Sequence, residues 1–361
     1  AGYPQEVELW QLGARGHRLR GKTRLNPQAI RAWQKGQTDI WREHGLWDLD
    51  SSGQPRLLRP NYFSQVQRNG HQVVPIDFAQ DYLKPFLQRF ARAVRRVTPP
   101  AIIFIETTPA TDLPRWGPED VPHVVNATHW YDVFALFTAL FVPLLSVDAY
   151  ARRPVWGLKQ VRELFAAQVG AIKRASLERM GGVPTLLGEF GVSFNMPFGL
   201  NYRFNWFGMQ EWAFDATFRA LEAHLLSGTL WNYTADNTNL AGDVWNMEDL
   251  SIFSRDQQRN PADINSGGRA LRAVVRPYPR FTAGEPLALN FNYGRGYCSF
   301  SFRHDPAISA PTEIFVPSLH FSPQYRVQVS DGRYEKDVAR QLLRYWYGTG
   351  QEVHTIEISK K

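Results

Sequence analysis

The stretch TLLGEFGVS places an ionisable side chain, Glu189, at the end of a short apolar run, with Gly188 before it and Gly191 soon after. A carboxylate at the end of a buried strand is costly to ionise unless a site solvates or pairs it. The two glycines let backbone or ligand approach closely, which suits a nucleophile better than a surface charge. The alternative is a glutamate that pairs with an arginine to brace the mouth of a barrel. We interpret Glu189 as a catalytic nucleophile.

A histidine and a tyrosine stand two residues apart in the stretch HVVNATHWYD, residues 123–132, which is predicted to be a strand. Alternate residues of a strand point to the same side, so His129 and Tyr131 are expected to share a face. Such a pair can hydrogen-bond a sugar hydroxyl and orient a carboxylate, respectively. A histidine held in the core or in a loop is the alternative.

Trp231, in the stretch TLWNYT, is a candidate platform for a sugar, because pyranose C–H groups lie favourably on an indole ring. Core packing is the alternative role for this side chain. The segment that follows is too polar for a core and too rich in tryptophan and carboxamides for an ordinary linker. It could bind calcium, but it lacks the ligand spacing of an EF-hand loop. We expect a polyol-binding wall built by Asn232, Asp236, Asn237, Asn239, Asp243, Trp245, Asn246 and Glu248.

These candidates lie where the strands of a predicted parallel sheet end. Alternating strands and helices, with the strands apolar on both faces, indicate an α/β fold with a parallel sheet. In a (β/α) barrel the reactive groups project from the carboxyl ends of different strands, and Glu106 also ends such a strand. The predicted strands are residues 101–106, 123–132, 183–191 and 229–234, and the predicted helices are residues 80–97, 157–180 and 209–227.

The two ends of the chain follow other patterns. Residues 1–75 are rich in Arg, Gly, Pro and Trp, show only short periodic stretches, and are predicted to be a long ordered surface excursion. After residue 276 the apolar residues alternate with period two, as in residues 287–293 and 298–302 around a Gly-Arg-Gly turn. The last part of the chain is therefore predicted to be a small antiparallel β-sandwich.

The composition excludes several function classes. The formal charge is +7, yet the basic residues are scattered and do not interleave with aromatic ones, so no nucleic-acid partner is expected. The single cysteine, Cys298, excludes an internal disulfide and gives no metal cluster, and no cofactor is predicted. No apolar run approaches the length of about 18 residues that a membrane span needs. We expect a protein that is cytoplasmic or peripheral to a membrane, whose charge and aromatic residues could help it reach a lipid surface.

Several separated motifs, in this order, resemble the endoglycoceramidase-related glycosidases of glycoside hydrolase family five. Within that family the resemblance is closest to the branch that cleaves glucosylceramide and sterol glucosides. It extends over about residues 1–275, and the family also carries a β-sandwich tail. The motifs are AWQKG, IWREHGLWD, LLRPNYF, DYLKPFLQRFA, NATHWYD, LLGEFG and LWNYTADNTN with GDVWNMEDLSIFSRD.

The resemblance implies a role for each candidate and one missing partner. Glu189 is then the nucleophile at the end of the seventh barrel strand, His129 and Tyr131 end the sixth, and Trp231 ends the eighth and floors the sugar subsite. Glu106 ends the fifth strand, where contact with the substrate or a structural role is expected, and a role as substitute acid is the alternative. A retaining glycosidase needs a second carboxyl group about 5 to 5.5 Å away. The family places that acid/base glutamate in an Asn-Glu-Pro or His-Glu-Pro motif, and neither motif occurs in these 361 residues.

The resemblance thus implies that residues 1–275 are a partial (β/α)8 domain, with strands five to eight after the N-terminal excursion, and that residues 276–361 are the β-sandwich domain. The acid/base is expected upstream of Ala1, so activity of this chain on its own depends on that missing half. The expected substrate is a β-glucoside, in particular a glycolipid such as glucosylceramide or a sterol glucoside. The alternative is a non-catalytic protein that binds carbohydrate or glycolipid in a retained pocket. The oligomeric state is not predicted.

Overall fold

The computed structural model describes two compact units, residues 1–85 and residues 86–361. No helix in the described part of the chain is long and apolar enough to cross a bilayer. The described residues are 2–13, 16–34, 36–37, 39–68, 72–107, 113–148, 151–245 and 248–361.

The first unit is built from antiparallel hairpins joined by turns. A short α-helix of this unit starts after Asp39, whose carboxylate accepts a hydrogen bond of 2.7 Å from the backbone N–H of Trp41 and so satisfies a free donor at the helix start. The elements are β1 (Gln5–Gly13), β2 (Gly16–Leu25), α1 (Ile40–Glu43), β3 (Trp47–Leu49), β4 (Pro55–Leu57), β5 (Gln65–Arg68), β6 (Gln72–Pro75) and a π-helix (Ala79–Leu83).

The second unit starts with an α/β region. Its elements are α2 (Lys84–Val97), β7 (Ile103–Ile105), β8 (Val124–Asn126), α3 (Val133–Thr138), β9 (Leu145–Asp148), β10 (Arg153–Trp156), α4 (Leu158–Arg179), β11 (Leu186–Phe190), α5 (Leu200–Phe204), α6 (Gly208–His224), β12 (Ser227–Leu230), a 3₁₀-helix (Arg255–Gln257) and α7 (Leu271–Val274).

Strands β7, β8, β11 and β12 lie side by side in that order and run parallel. A parallel bridge between Asn126 and Thr185 joins the β7–β8 pair to the β11–β12 pair. The parallel α/β arrangement predicted from the sequence is therefore confirmed. Because all four strands run the same way, the residues that follow them meet at one edge of the sheet.

Helices α4 and α6 cover one face of these strands. Val161, Phe165 and Val169 of α4 are buried together with Leu187 and Phe190 of β11. This apolar contact is what the 3.6-residue periodicity of the sequence requires. Helix α4 ends at Arg179, and the two following glycines adopt positive φ angles of 63° and 80°, which confirms the predicted stop at Gly181-Gly182.

All four predicted strands are longer than the strands in the structure. The stretch 123–132 is a strand only at Val124–Asn126. Just past its end, the Asn126 side chain accepts hydrogen bonds from the backbone and hydroxyl of Thr128. The predicted strand 229–234 is shifted to Ser227–Leu230, since the backbone of Asn232 bonds to Leu250 and Ile252 instead of continuing along β11.

The predicted helix 80–97 is observed as the π-helix followed by α2, and the aromatic side chains of α2 are not its buried ones. Leu87 and Ala91 are buried, whereas Phe86 and Phe90 are exposed and stack on each other with ring centroids 6.1 Å apart. Periodicity shows that a helix has an apolar face, and it does not show whether that face is covered.

The chain ends in a β-rich region of two four-stranded antiparallel sheets. The strand orders are β13-β16-β19-β18 and β14-β15-β20-β17, and one apolar cluster containing Phe300, Phe302, Ile314, Leu343 and Ile356 draws on both sheets. The elements are β13 (Tyr278–Phe281), β14 (Gly284–Asn292), β15 (Tyr297–His304), β16 (Thr312–Phe315), β17 (Arg326–Val329), β18 (Arg333–Asp337), β19 (Leu342–Trp346) and β20 (Val353–Ser359).

A buried arginine joins this region to the helices of the α/β region. Arg276 contacts Asp215 at 3.0 Å and Glu222 at 2.7 Å, both on α6, and its guanidinium lies 4.8 Å from the ring centre of Phe291. Burial raises the pKa of Glu222, while the charge of Arg276 and its hydrogen bond oppose that shift. The two regions therefore share a charged cluster that is shielded from water.

Candidate active site

Glu189 occupies the fourth position of β11, near the edge where the parallel strands end. Its side chain is 23% exposed, so the carboxylate is open to a ligand but largely enclosed by protein. Gly188 and Gly191 have no room for a side chain because neighbouring backbone, and not a ligand, lies against them. A Cβ at Gly188 would lie 2.0 Å from the carbonyl oxygen of Ala127, and a Cβ at Gly191 would lie 2.3 Å from that of Trp231.

Tyr131 donates a short hydrogen bond from its hydroxyl to Oε1 of Glu189. Burial, that hydrogen bond and the charges of Glu189 and Glu248 raise the pKa of Tyr131 well above its usual value. The hydroxyl is therefore protonated at any physiological pH and acts as a fixed donor. It holds the carboxylate in one orientation and leaves the other oxygen available.

His129 lies between two carboxylates. Its Nδ1 is 3.1 Å from Oε1 of Glu106 and 3.6 Å from Oε2 of Glu189. Glu106 follows directly after β7, and His129 lies in the segment after β8. Three consecutive strand ends thus bring together Glu106, His129 with Tyr131, and Glu189, as predicted, although His129 and Tyr131 follow their strand instead of lying in it.

Backbone pairing explains how a segment outside the strand keeps the predicted orientation. Past the end of β8, the N–H of Gly188 bonds to the carbonyl of Thr128, and the N–H of Trp130 bonds to the carbonyl of Glu189 at 2.9 Å. Residues 128–130 therefore continue to follow β11. This pairing fixes the position of His129 and Tyr131 opposite the carboxylate that they contact.

Trp231 follows β12, and its backbone N–H bonds to the carbonyl of Phe190 at 2.8 Å, next to Glu189 in the chain. Its indole is partly exposed and is not a member of the apolar core. A cis peptide bond joins it to Asn232. The structure thus leaves this ring available for stacking, which agrees with the platform role and argues against the core alternative.

The predicted polyol-binding wall divides into exposed and buried residues. Asp236 and Trp245 are exposed, Asn239 and Glu248 are half-buried, and Asn246 lies outside the described residues. Asn237 and Asp243 are buried, which contradicts the wall position predicted for them. Asn232 is half-buried, and its amide donates to Asp243 at 3.1 Å, so part of its side chain braces the loop.

The buried residues form a scaffold below the loop that the sequence did not reveal. Asp243 accepts bonds from the side chain of Asn237 and from the backbone of Leu250, and Asp249 also accepts from Asn237 at 2.9 Å. Arg269 is fully buried and binds Asp249 through two nitrogens at 2.9 and 2.5 Å. Carboxamides and carboxylates in a polar loop are equally typical of a ligand wall and of an internal brace, so residue type alone could not separate them.

The replacement Tyr131→Phe tests the role of the fixed donor. It removes one hydrogen bond to an ionised carboxylate, a contact worth roughly 1.5 to 3 kcal/mol, so the rate of any reaction that uses Glu189 is expected to fall by about 10- to 100-fold. The measurement is the steady-state rate on an aryl β-glucoside across a range of pH. Tyr233, two residues after Trp231, is exposed. Tyr233→Phe is therefore the matched control and is expected to leave the rate unchanged.

No group of three or more His, Cys, Asp or Glu side chains within the described ranges could hold a metal ion. The side chains brought together here are a half-enclosed carboxylate, its hydrogen-bonding neighbours and an exposed indole ring.

Comparisons with known proteins place these features in a family context. Residues 276–358 match the model of the glycoside hydrolase family 5 C-terminal domain. A glucosylceramidase from Rhizopus delemar is 32% identical over 333 residues, covering 86% of this chain and 48% of the relative. A glucosylceramidase from Aspergillus fumigatus is 28% identical, covering 99% of this chain and 59% of the relative.

A solved structure shows the same relationship. The crystal structure of sterylglucosidase 1 from Cryptococcus neoformans superposes with a TM-score of 0.85 and 26% sequence identity, over 99% of this chain and 57% of that one. The chain spans about half the length of the curated relatives it matches.

Proposed function

We propose that the chain is the C-terminal part of a retaining β-glucosidase. The proposal is supported by its similarity to these lipid-glucoside hydrolases and by its match to the C-terminal domain of glycoside hydrolase family 5. The proposed substrate is a β-glucoside of a lipid such as glucosylceramide or a sterol. The single observation that carries the proposal is the enclosed Glu189 carboxylate, oriented by Tyr131 and His129 at the carboxyl ends of parallel strands.

In the proposed reaction an oxygen of Glu189 attacks the anomeric carbon and the bond to the lipid oxygen breaks, which gives a covalent glucosyl ester. Water then attacks the same carbon and gives a proton to the residue that protonated the leaving oxygen, and the Glu189 carboxylate leaves with its electron pair. The Tyr131 hydroxyl holds one oxygen of Glu189 and leaves the other for attack. Trp231 stacks on the sugar, and Asn232, Asp236, Asn239, Trp245 and Glu248 are proposed to line the subsite around it.

The acid/base that protonates the leaving oxygen is proposed to come from an N-terminal half that completes the barrel. Two observations support this. Among the described residues, β7 pairs with β8 alone and β12 with β11 alone, so the four-strand sheet has two open edges. On β7, Ile103 and Ile105 are buried whereas Phe104 is exposed, so one face of this strand is bare. Residues 1–275 are proposed to be the partial (β/α)8 domain and residues 276–361 a β-sandwich.

A protein that binds a glycolipid without cleaving it is the alternative. Binding needs a platform and hydrogen bonds, whereas it does not need a carboxylate with one oxygen held by a tyrosine and the other beside a histidine. That geometry favours the enzyme.

Incubation with glucosylceramide and with a sterol β-glucoside distinguishes the two. The polypeptide used must supply both halves of the barrel, and the first-formed glucose is followed by NMR. Release of β-glucose, with the configuration retained, supports the proposal. Release of α-glucose overturns the double-displacement mechanism, and tight binding without release supports the alternative.

We propose that Glu106 positions His129. Oε1 of Glu106 lies 3.1 Å from Nδ1, so this nitrogen is proposed to carry the proton, which leaves Nε2 unprotonated. Glu106→Ala is expected to shift His129 towards the other tautomer and to lower kcat by about 10-fold. Glu106→Gln keeps an acceptor and is expected to retain most of the original tautomer and most of kcat. Nitrogen-15 NMR of the imidazole reads the tautomer without any turnover. An unchanged tautomer in Glu106→Ala would show that Glu106 does not position the ring.

A further inference from the structure

A second surface lies close to the carboxyl edge of the sheet. Helix α3 and the β9–β10 hairpin follow β8, and helix α5 follows β11, so both segments extend the two strands that carry the candidate catalytic residues. We call residues 133–148, 151–160 and 196–207 the rim surface. Because each segment is the connection that leaves a catalytic strand, the rim surface lies beside the entrance to the candidate site.

Large apolar side chains point outward on both segments of the rim surface. Phe137 of α3 is 69% exposed, Trp156 of β10 is 66% exposed, and Phe198 and Phe204 at α5 are 72% and 71% exposed. Val133, Leu136, Leu144, Leu200 and Trp206 are exposed as well. Isolated exposed apolar residues are ordinary, but this concentration on two neighbouring connections is typical of an interaction surface.

The two segments contribute residues to the same apolar core and to the same cleft. Ala135 and Phe141 from the first segment share the apolar core with Met196 and Phe207 from the second. A cleft of about 670 Å³ is lined by Pro143 and Leu158 together with Trp206 and the neighbouring Trp212, among others. The two segments that carry the outward apolar side chains therefore lie next to each other.

The charges of the rim surface are mainly positive. It contains four basic residues, Arg152, Arg153, Lys159 and Arg203, and one acidic residue, Asp148. The guanidinium of Arg203 lies 5.9 Å from the ring centre of Phe204, so a cation and an exposed aromatic ring are adjacent on this surface. Aromatic and aliphatic side chains bordered by basic ones match an anionic bilayer, which offers acyl chains below negatively charged headgroups.

We infer that the rim surface docks on an anionic lipid bilayer and so places the candidate site at the membrane where a lipid glucoside resides. This inference rests on the proposed function for its biological meaning. A helical peptide is disfavoured as the partner, because it docks in one continuous apolar groove, whereas the exposed rings are spread over two short helices and a hairpin. Docking of this kind requires only shallow insertion of these rings into the bilayer interface.

Vesicle flotation tests the inference with the 361-residue chain. The probes are vesicles of phosphatidylcholine alone and of phosphatidylcholine mixed equally with phosphatidylserine. The unchanged chain is expected to float with the mixed vesicles and to be released by high salt in part only. Phe198→Ser combined with Phe204→Ser is expected to weaken binding to both vesicles by at least about tenfold. Arg152→Glu combined with Arg153→Glu is expected to abolish the preference for the anionic vesicles.

The matched control replaces exposed apolar residues elsewhere, Phe281→Ser with Ile264→Ser, and is expected to bind like the unchanged chain. The inference is overturned if the unchanged chain binds neither vesicle, or if the control loses as much binding as the rim variant. Binding that the rim variants leave intact also overturns it and assigns docking to another face. Flotation involves no hydrolysis. A chain that does not bind vesicles therefore does not argue against the glucosidase proposal, and the flotation result can be interpreted even if that proposal is wrong.

Discussion

Replacement of Glu189 by glutamine is expected to lower the rate of hydrolysis of an activated aryl β-glucoside by about 10⁴-fold or more. The amide keeps the size of the side chain and can still accept from Tyr131, but it cannot form the glucosyl ester. The leaving group of such a substrate departs without a proton, so the measurement reports on the nucleophile and not on the acid/base. The rate is measured on a polypeptide that supplies both halves of the barrel.

Chemical rescue separates a missing nucleophile from a damaged fold. Glu189→Gly opens space for azide, which attacks the anomeric carbon from the face that the carboxylate used and is expected to give α-glucosyl azide. Glu163→Gln, on the exposed side of α4, is the control and should retain the full rate. A Glu189→Gln protein that keeps more than about a tenth of the activity would assign the nucleophile to another residue.

Loss of the buried arginine below the site is expected to be the most destabilising single change. Arg269→Met removes the partner of Asp249, whose carboxylate is also buried, and leaves that charge uncompensated. Breaking a buried pair from one side costs about 3 to 5 kcal/mol of unfolding free energy. The contact between the guanidinium and the ring of Phe194, 4.1 Å away, is lost as well. Denaturant unfolding followed by tryptophan fluorescence measures the change.

An exposed arginine of the same region provides the matched control. Arg272 is mostly exposed and lies 3.9 Å from Glu211, and exposed pairs contribute less than about 1 kcal/mol, so Arg272→Met should hardly change the midpoint. Equal losses in the two variants would show that Arg269 does not anchor the loop. The double variant Arg269→Met, Asp249→Leu should recover part of the loss, since it removes the unpaired charge.

The central α/β elements could be predicted because their sequence periodicity is set by burial. Helix α4, for example, has apolar residues at helical spacing that pack in one core with β11, and it ends shortly before two glycines. Its position was predicted within one residue at each end. The short helices α3 and α5 were not predicted, since they are connections whose apolar residues face outward and carry no buried period.

The residues of the candidate site could be predicted from residue types at strand ends, but the contacts between their side chains could not. Glu106, His129, Tyr131 and Glu189 were each identified, and the structure brings them together. The shared contact of His129 with both glutamates depends on backbone pairing beyond β8, which no local pattern encodes. The buried pair of Arg269 and Asp249 was missed for the same reason, because its partners are 20 residues apart.

Covalent trapping with a 2-deoxy-2-fluoro-β-glucoside that bears an activated leaving group tests the central claim most directly. The fluorine slows breakdown of the glucosyl ester more than its formation under these conditions, so the intermediate accumulates and intact-mass analysis followed by peptide mapping locates it. The account predicts one added fluoroglucosyl group on the peptide that contains Glu189, and none in Glu189→Gln. Label on any other residue, or no label on a polypeptide with both halves of the barrel, would contradict it.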